Sequence, residues 1–426
     1  MKYEDFVDLG YKPRKNDLVC LFRVEPAGNI SMKEAAGRVA SESSVGTWTE
    51  SLSTETPKVM KRLKSLMARV FEINGNYAKI AYPIDLFELD NIPQILSSIA
   101  GNVFGMNALE NLRLEDVNWP TALVKSFKGP VYGIDGIRKI VKVKDRPLLG
   151  SIVKPKLGLN ESEHGRAAYE AWVGGVDIVK DDENLSNLKF NHFKERVVKT
   201  LKMRDKAERA AGERKMYMPN VTAETKEMTR RAKFVKKEGG EYAMVDIMTV
   251  GWSGLQALRN ENDSLKLVLH AHRAGHAALT RNKRHGISMH VVADIARLIG
   301  VDQLHIGTVV GKMEGGKEEV SALGEEIENN VIREHGHILS EKWERIKPVF
   351  AVCSGGLHPA LVPYLVKHLG KDIIMQFGGG IHGHPMGTRA GARAARQATE
   401  AVMNGSTLSE YAKSHKELRA AIEKWK

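Results

Sequence analysis

A lysine stands directly before three acids at Lys180, Asp181, Asp182 and Glu183, where the run Gly174-Gly175-Val176-Asp177-Ile178-Val179 ends. The run reads as a buried strand that breaks off into charge. Carboxylate oxygens crowded at a strand end suit a hard cation such as Mg²⁺, and Asp182 and Glu183 can supply two of its ligands. An ammonium cannot ligate a metal, so Lys180 either pairs with the acids or is chemically changed. A neutral lysine amine can add CO₂ to form a carbamate, which is an anionic oxygen donor. That chemistry needs a lysine whose pKa is held down. Strand alternation sends Asp181 to the other face, so it reads as structural. The competing reading is a helix start, where acids complement the dipole.

Other residues able to do chemistry fall into four groups. Lys154 and Lys156 flank a proline, and alternation sends both to one side; the alternative is a surface turn. His270, His272, Arg273 and His276 have a spacing some zinc sites use. Arg273 in their midst favours an anion instead, because a guanidinium fork matches phosphate. The segment Gly307 to Gly315 is bounded by glycines and tipped by Lys312. It lacks the P-loop spacing and suits a flap that carries a lysine over bound substrate, or else a plain turn. Ser354-Gly355-Gly356 and Gly378-Gly379-Gly380 are built for close backbone approach to an anion. One phosphate at the glycines and one at Arg273 and His305 describe a bisphosphate.

These groups need a scaffold that gathers them. From Leu148 onward short apolar segments alternate with amphipathic helical ones. The predicted strands are 150–154, 176–180, 216–221, 242–248, 266–270, 303–306, 349–353 and 373–377. Alternation implies a parallel sheet, and eight units favour an α/β fold of the (β/α)₈ TIM-barrel type, with chemistry at the C-terminal ends of the strands. Seven of the eight ends carry polar or glycine-rich residues: the groups just named and, at the third strand, Asn220. The chain before residue 130 reads as a smaller α+β domain. It has a strand at 17–24, a capping-box start at Ser31 to Glu34, a hairpin around Asn74-Gly75 and a helix at 93–100. The expected domains are therefore 1–130 and a barrel over 131–426.

The 426 residues include 39 glycines and only two cysteines, Cys20 and Cys353. That argues against a disulfide scaffold or zinc module and for a reducing, cytoplasmic setting. No apolar run reaches membrane-spanning length. The net charge of +12 mixes acids among the bases, as in 194–215. This reads as a basic surface suited to anionic substrates rather than as a nucleic-acid site.

The motifs together resemble the large subunit of ribulose-bisphosphate carboxylase/oxygenase (RuBisCO). They are Glu42 to Trp48, Gly101 to Gly105, Lys154 to Lys156, Gly174 to Asn184, His270 to His276, His305 to Gly315, Ser354 to Gly356 and Gln376 to Gly380. The stretch Met216 to Met228 and the short chain are most similar to the archaeal type III branch. The resemblance implies a ferredoxin-like N-terminal domain before the TIM barrel. It implies carboxylation of ribulose 1,5-bisphosphate by CO₂ to two 3-phosphoglycerates, with a competing reaction with O₂. By resemblance, Lys180 is carbamylated by an activator CO₂ and binds Mg²⁺ with Asp182 and Glu183. Lys154 moves protons, supported by Lys156; His272 contacts the reacting carbons; Lys312 closes over the new carboxylate. One phosphate meets Thr47, Trp48, Gly356, Gly378 and Gly379, the other Arg273 and His305, with Ser354 and Gly355 lining the substrate site. Glu42 and Asn102 come from a partner subunit, so the implied enzyme is a homodimer with shared sites, alone or in assemblies of dimers. A RuBisCO-like enolase or isomerase would have lost parts of this set. One departure is Ile152, where many plant-like members have a threonine.

Overall fold

The computed structural model describes residues 2–46, 53–310 and 316–425, leaving aside the side chain of Lys317. Its contacts divide into two compact units. The first comprises Met1–Lys128, Gly275–Ile299 and Asn329–Ile346; the second comprises Gly129–Ala274, Gly300–Glu328 and Lys347–Lys426.

In the first unit the strands Leu18–Pro26, Arg69–Asn74, Tyr77–Tyr82 and Leu109–Asn118 form an antiparallel sheet in the spatial order fourth, first, third, second. Helices Met32–Glu42 and Ile92–Ile99 make the two crossovers, which is the ferredoxin-like arrangement. Ser31 caps the first helix by accepting from the Glu34 amide at 3.1 Å. The return bond of a capping box is absent, because the Glu34 carboxylate binds Arg38 one turn on. The hairpin turn lies one residue later than expected: Asn74 pairs with Tyr77, and Gly75 takes φ +55°. Two segments from far along the chain complete this unit. Gly286–Ile287 adds a parallel edge to the fourth strand, and the buried Trp119 donates its main-chain N–H to Glu341 Oε2 at 2.6 Å.

In the second unit eight parallel strands run Leu148–Ile152, Ile178–Lys180, Met216–Met218, Tyr242–Asp246, Val268–His272, Gln303–His305, Phe350–Ser354 and Ile373–Phe377. Each pairs with its sequence neighbours except the third with the fourth, and the eighth pairs with the first. Between the third and fourth only the bridge Asn220 to Met244 is formed, so the (β/α)₈ barrel is nearly closed. The strands are buried on both faces, as a helix-wrapped parallel sheet requires. Leu148, Ile178, Met216, Tyr242, Val268, Phe350 and Ile374 share one core with Ile137 and Val141 of helix Gly133–Val141. The fifth strand begins two residues later than its apolar pattern suggests. Lys266 is the left-handed cap of helix Ile247–Leu265, and Leu267 is held in a two-way bond with the Asn262 amide. Among the described residues no helix is long and apolar enough to cross a membrane. Cys20 and Cys353 are both buried thiols.

Candidate active site

The second barrel strand ends on Lys180, whose side chain is completely buried. Its Nζ donates to the Asp181 carbonyl oxygen at 2.7 Å and to Glu183 Oε2 at 3.4 Å. Burial lowers the Lys180 pKa from the ordinary lysine range, against the opposing pull of Glu183, Asp182 and Asp181. A buried amine held down in this way can reach its neutral, nucleophilic form.

Asp181 turns away from this centre into a buried socket. Its carboxylate accepts from Arg196 Nε at 3.0 Å, Tyr217 OH at 2.7 Å and the Asn220 main-chain N–H at 2.9 Å. His164 Nε2 lies 3.1 Å from it, out of line for a hydrogen bond. Burial alone would raise its pKa, but Arg196 and the other donors hold it far below the carboxylate range. Pinning Asp181 aims its two neighbours the other way.

Asp182 accepts from Lys154 Nζ at 2.7 Å and from both nitrogens of Asn184 at 3.1 Å. These bonds outweigh burial and keep it ionised. Glu183 is likewise lowered: burial raises it, and the Lys180 and His272 charges more than offset that. His272 stands with Nε2 3.6 Å from Glu183 and Nδ1 3.8 Å from Asp246. One Asp246 oxygen is buried without a hydrogen-bond partner.

Lys154 lies beyond its strand, which ends at Ile152. Strand alternation therefore does not govern the two lysines, and Lys156 is exposed on the loop while Lys154 turns in to Asp182. A Cβ on Gly378 would come 3.1 Å from Lys154 Cε. One on Gly380 would come 2.0 Å from the Leu357 carbonyl oxygen, so the loops after the seventh and eighth strands touch backbone to backbone. Gly355 and Gly356 take φ +111° and +71°. Ser354 and Gly355 are half-buried and Gly356 and Gly379 exposed, leaving a glycine-walled opening.

The fifth, sixth and seventh strand ends carry a hydrogen-bonded chain. His270 Nδ1 meets Gln303 Oε1 at 2.8 Å, His270 Nε2 meets His305 Nε2 at 2.8 Å, and His305 Nδ1 meets Ser354 Oγ at 2.7 Å. The His272 and His305 rings pack edge to face with centroids 4.8 Å apart. Arg273 is 9% exposed; burial lowers its pKa to about 10, against the opposing charge of Glu319. A buried guanidinium at a strand end is suited to an anion.

The barrel thus gathers Lys154, Lys180, Asp182, Glu183, His272, Arg273, His305, Ser354 and the glycine loops at the C-terminal ends of its strands. Glu42 ends helix Met32–Glu42 and Asn102 opens the short helix Asn102–Gly105, both exposed in the first unit. Thr47, Trp48 and Lys312 lie outside the described residues. Sequence reading passed over Asn184, Asp246 and Gln303. Asp246 sits at the end of a barrel strand, which was the one available signal.

The donor set can be tested against a hard divalent cation. Among the described residues no three His, Cys, Asp or Glu side chains form a metal-ligating group. Asp182 and Glu183 are hard oxygen donors, and Lys180 is the buried group beside them. The set fits Mg²⁺ if Lys180 carries an oxygen donor.

The family model of the ribulose bisphosphate carboxylase large chain, catalytic domain, matches residues 133–425, and that of its N-terminal domain matches 5–123. The chain is 52% identical to ribulose bisphosphate carboxylase of Methanosarcina barkeri over 424 residues, covering 99% of each. It is 49% identical to that of Methanocaldococcus jannaschii, covering 99% of this chain and 100% of the relative. Among solved structures, the dimeric archaeal Rubisco of Hyperthermus butylicus superposes with a TM-score of 0.93 at 46% identity, covering 99% of both chains. The octameric enzyme of Pyrococcus horikoshii gives 0.92 at 47% identity, covering 100% of this chain and 97% of that one. The chain belongs to the ribulose bisphosphate carboxylase large-chain family.

Proposed function

We propose that this protein is an Mg²⁺-dependent ribulose-bisphosphate carboxylase activated by carbamylation of Lys180. The observation that carries the reading is the fully buried Lys180, its pKa lowered, beside two ionised carboxylates. Addition of CO₂ to the neutral amine, with loss of one proton, replaces a buried cation with an anionic oxygen donor. Lys180 carbamate, Asp182 and Glu183 would then hold the metal. When bound, Mg²⁺ would polarise the C2 carbonyl of ribulose 1,5-bisphosphate and acidify the proton on C3.

The protein's own groups supply the remaining steps. A carbamate oxygen on Lys180 takes the C3 proton and leaves an enediolate, which attacks CO₂ or, in competition, O₂. Lys154 Nζ, delivered by the loop after the first strand, returns a proton to the carbanion left when water cleaves the six-carbon adduct into two 3-phosphoglycerates. Lys156 supports Lys154, and His272, between Glu183 and Asp246, faces the reacting carbons. Arg273 and His305 hold one phosphate; Gly356, Gly378 and Gly379, with Thr47 and Trp48, hold the other. Lys312 covers the new carboxylate. Glu42 and Asn102 act across a homodimer, which can assemble further; the dimeric and octameric structures of relatives support oligomerisation in general. The setting is cytoplasmic.

The test is incubation with labelled CO₂, Mg²⁺ and ribulose bisphosphate. Labelled 3-phosphoglycerate is the expected product, and Lys180→Met should abolish both its formation and CO₂-dependent uptake of Mg²⁺ while the melting curve persists. Activity retained in Lys180→Met would exclude the carbamate, and enolisation of another phosphosugar without carboxylation would exclude the main reading.

A further inference from the structure

The chain from Gln303 through His270 and His305 to Ser354 has a direction, set at its buried end. Gln303, His270 and His305 are at most 3% exposed. Burial holds His270 down to about 3 and His305 well below its usual range, so both rings are neutral. A neutral imidazole carries one N–H. Where two ring nitrogens face each other at 2.8 Å, one must donate and the other accept. Fixing one tautomer therefore fixes every bond in the chain.

With Gln303 Oε1 toward His270, the hydrogens run inward. His270 donates from Nδ1, His305 donates from Nε2, and the Ser354 hydroxyl must donate to His305 Nδ1. Ser354 then offers only lone pairs to the barrel mouth. In the same orientation Gln303 Nε2 and the Tyr242 hydroxyl face each other, both buried and short of good hydrogen-bond geometry, with the amide pulling the Tyr242 pKa down against burial. Turning the amide by 180° sets its N–H on His270 Nδ1 and its oxygen opposite the Tyr242 hydroxyl. Every bond then reverses: His270 donates from Nε2, and His305 carries its hydrogen on Nδ1. The outer end becomes a donor, either His305 Nδ1–H itself or the Ser354 O–H that it frees. A phosphate dianion offers acceptors only, so the second direction is the one that serves it, beside the buried Arg273.

We propose that Gln303 is a positioning residue whose amide, with its nitrogen toward His270, turns the His270–His305–Ser354 chain so that it ends in a hydrogen-bond donor to a phosphate group. This rests on the bisphosphate reading above and names the residue that tunes one of its two phosphate subsites.

The test uses full-length protein labelled with ¹⁵N-histidine and a non-reacting pentitol 1,5-bisphosphate. Ring-nitrogen spectra of the complex should give His270 with its hydrogen on Nε2 and His305 with its hydrogen on Nδ1. The opposite pair of tautomers in the complex would overturn the proposal. Gln303→Met keeps the length of the side chain and removes its hydrogen bonds. It should weaken pentitol bisphosphate binding about tenfold, the weight of one charge-assisted hydrogen bond, and raise KM with kcat unchanged. Unchanged affinity and unchanged tautomers in Gln303→Met would also overturn it. If the unaltered protein fails to bind the bisphosphate, the carboxylase reading itself falls. The tautomers are then read with inorganic phosphate, and the same two assignments decide between support and refutation. The measurement on the unaltered protein decides even if the variant does not fold.

Discussion

Replacing Asp181 by asparagine keeps the shape of the residue and removes its charge, and the structure predicts a large loss of stability. Arg196 is fully buried. Its other partners are neutral: Nη1 donates to Asn191 Oδ1 at 2.8 Å and Nη2 to the Ser186 carbonyl at 2.9 Å. Asp181 is thus the carboxylate that balances the guanidinium, at 3.0 Å. Breaking a buried pair by neutralising one member costs about 3–5 kcal/mol, because the other charge stays in a dry site. For a unit of this size that lowers the melting temperature by about 6–10 °C. Removing both charges, as Asp181→Asn with Arg196→Met, should cost less than the two single changes summed, by about 2 kcal/mol. Urea unfolding of the four proteins in a double-mutant cycle reads this directly. A single-variant loss below about 1 kcal/mol, the value of an exposed pair, or strictly additive effects would refute the socket as drawn here. The site gives a second readout. Lys180 Nζ bonds the Asp181 carbonyl, so a loosened Asp181 should slow CO₂-dependent activation even at temperatures where the variant stays folded.

Three further outcomes are expected. Lys154→Met frees Asp182 from its 2.7 Å ion pair, so calorimetry should find Mg²⁺ bound about fivefold more tightly while turnover falls about 10²-fold or more; weaker metal binding would contradict the geometry. Gly378→Ala presses a methyl to 3.1 Å from Lys154 Cε, so kcat should drop about tenfold with little change in melting temperature, and the reverse pattern would mean that the glycine serves the fold. Glu328, last residue of helix Lys317–Glu328, has its pKa raised from 4.5 to about 8, first by burial and then by Asp372 and Glu325. A raised folded-state pKa stabilises fully below 4.5, and that contribution declines as pH rises and is gone above 8. Glu328→Gln should therefore flatten the fall in unfolding free energy over that window, by about 1–3 kcal/mol, in urea titrations across pH; parallel pH profiles would exclude it.

What the sequence made legible follows the physical range of each signal. Strand alternation separates the socket residue Asp181 from Lys180 and Asp182, but it would put Glu183 with Asp181; the strand ends at Lys180, and the turn after it brings Glu183 back to Lys180. The eight strands show because each is a short apolar run next to a helix. Alternation failed at Lys154 and Lys156 because the strand stops at Ile152 and the loop sets the side-chain directions. The first unit takes in Gly275–Ile299 and Asn329–Ile346, and no local pattern marks those segments as belonging with residues before 130. Gln303 is the sharpest case. By itself it is a polar residue opening an ordinary strand. It matters because the sixth strand pairs with the fifth in the register Gln303 to His270 and Leu304 to Ala271. A slip of one residue would turn every side chain of the strand to its other face, set Leu304 against His270, and leave both histidines buried without the bonds that fix their tautomers. The polarity of that chain is therefore a property of strand register, which is decided by the barrel as a whole and leaves no mark in either segment read alone.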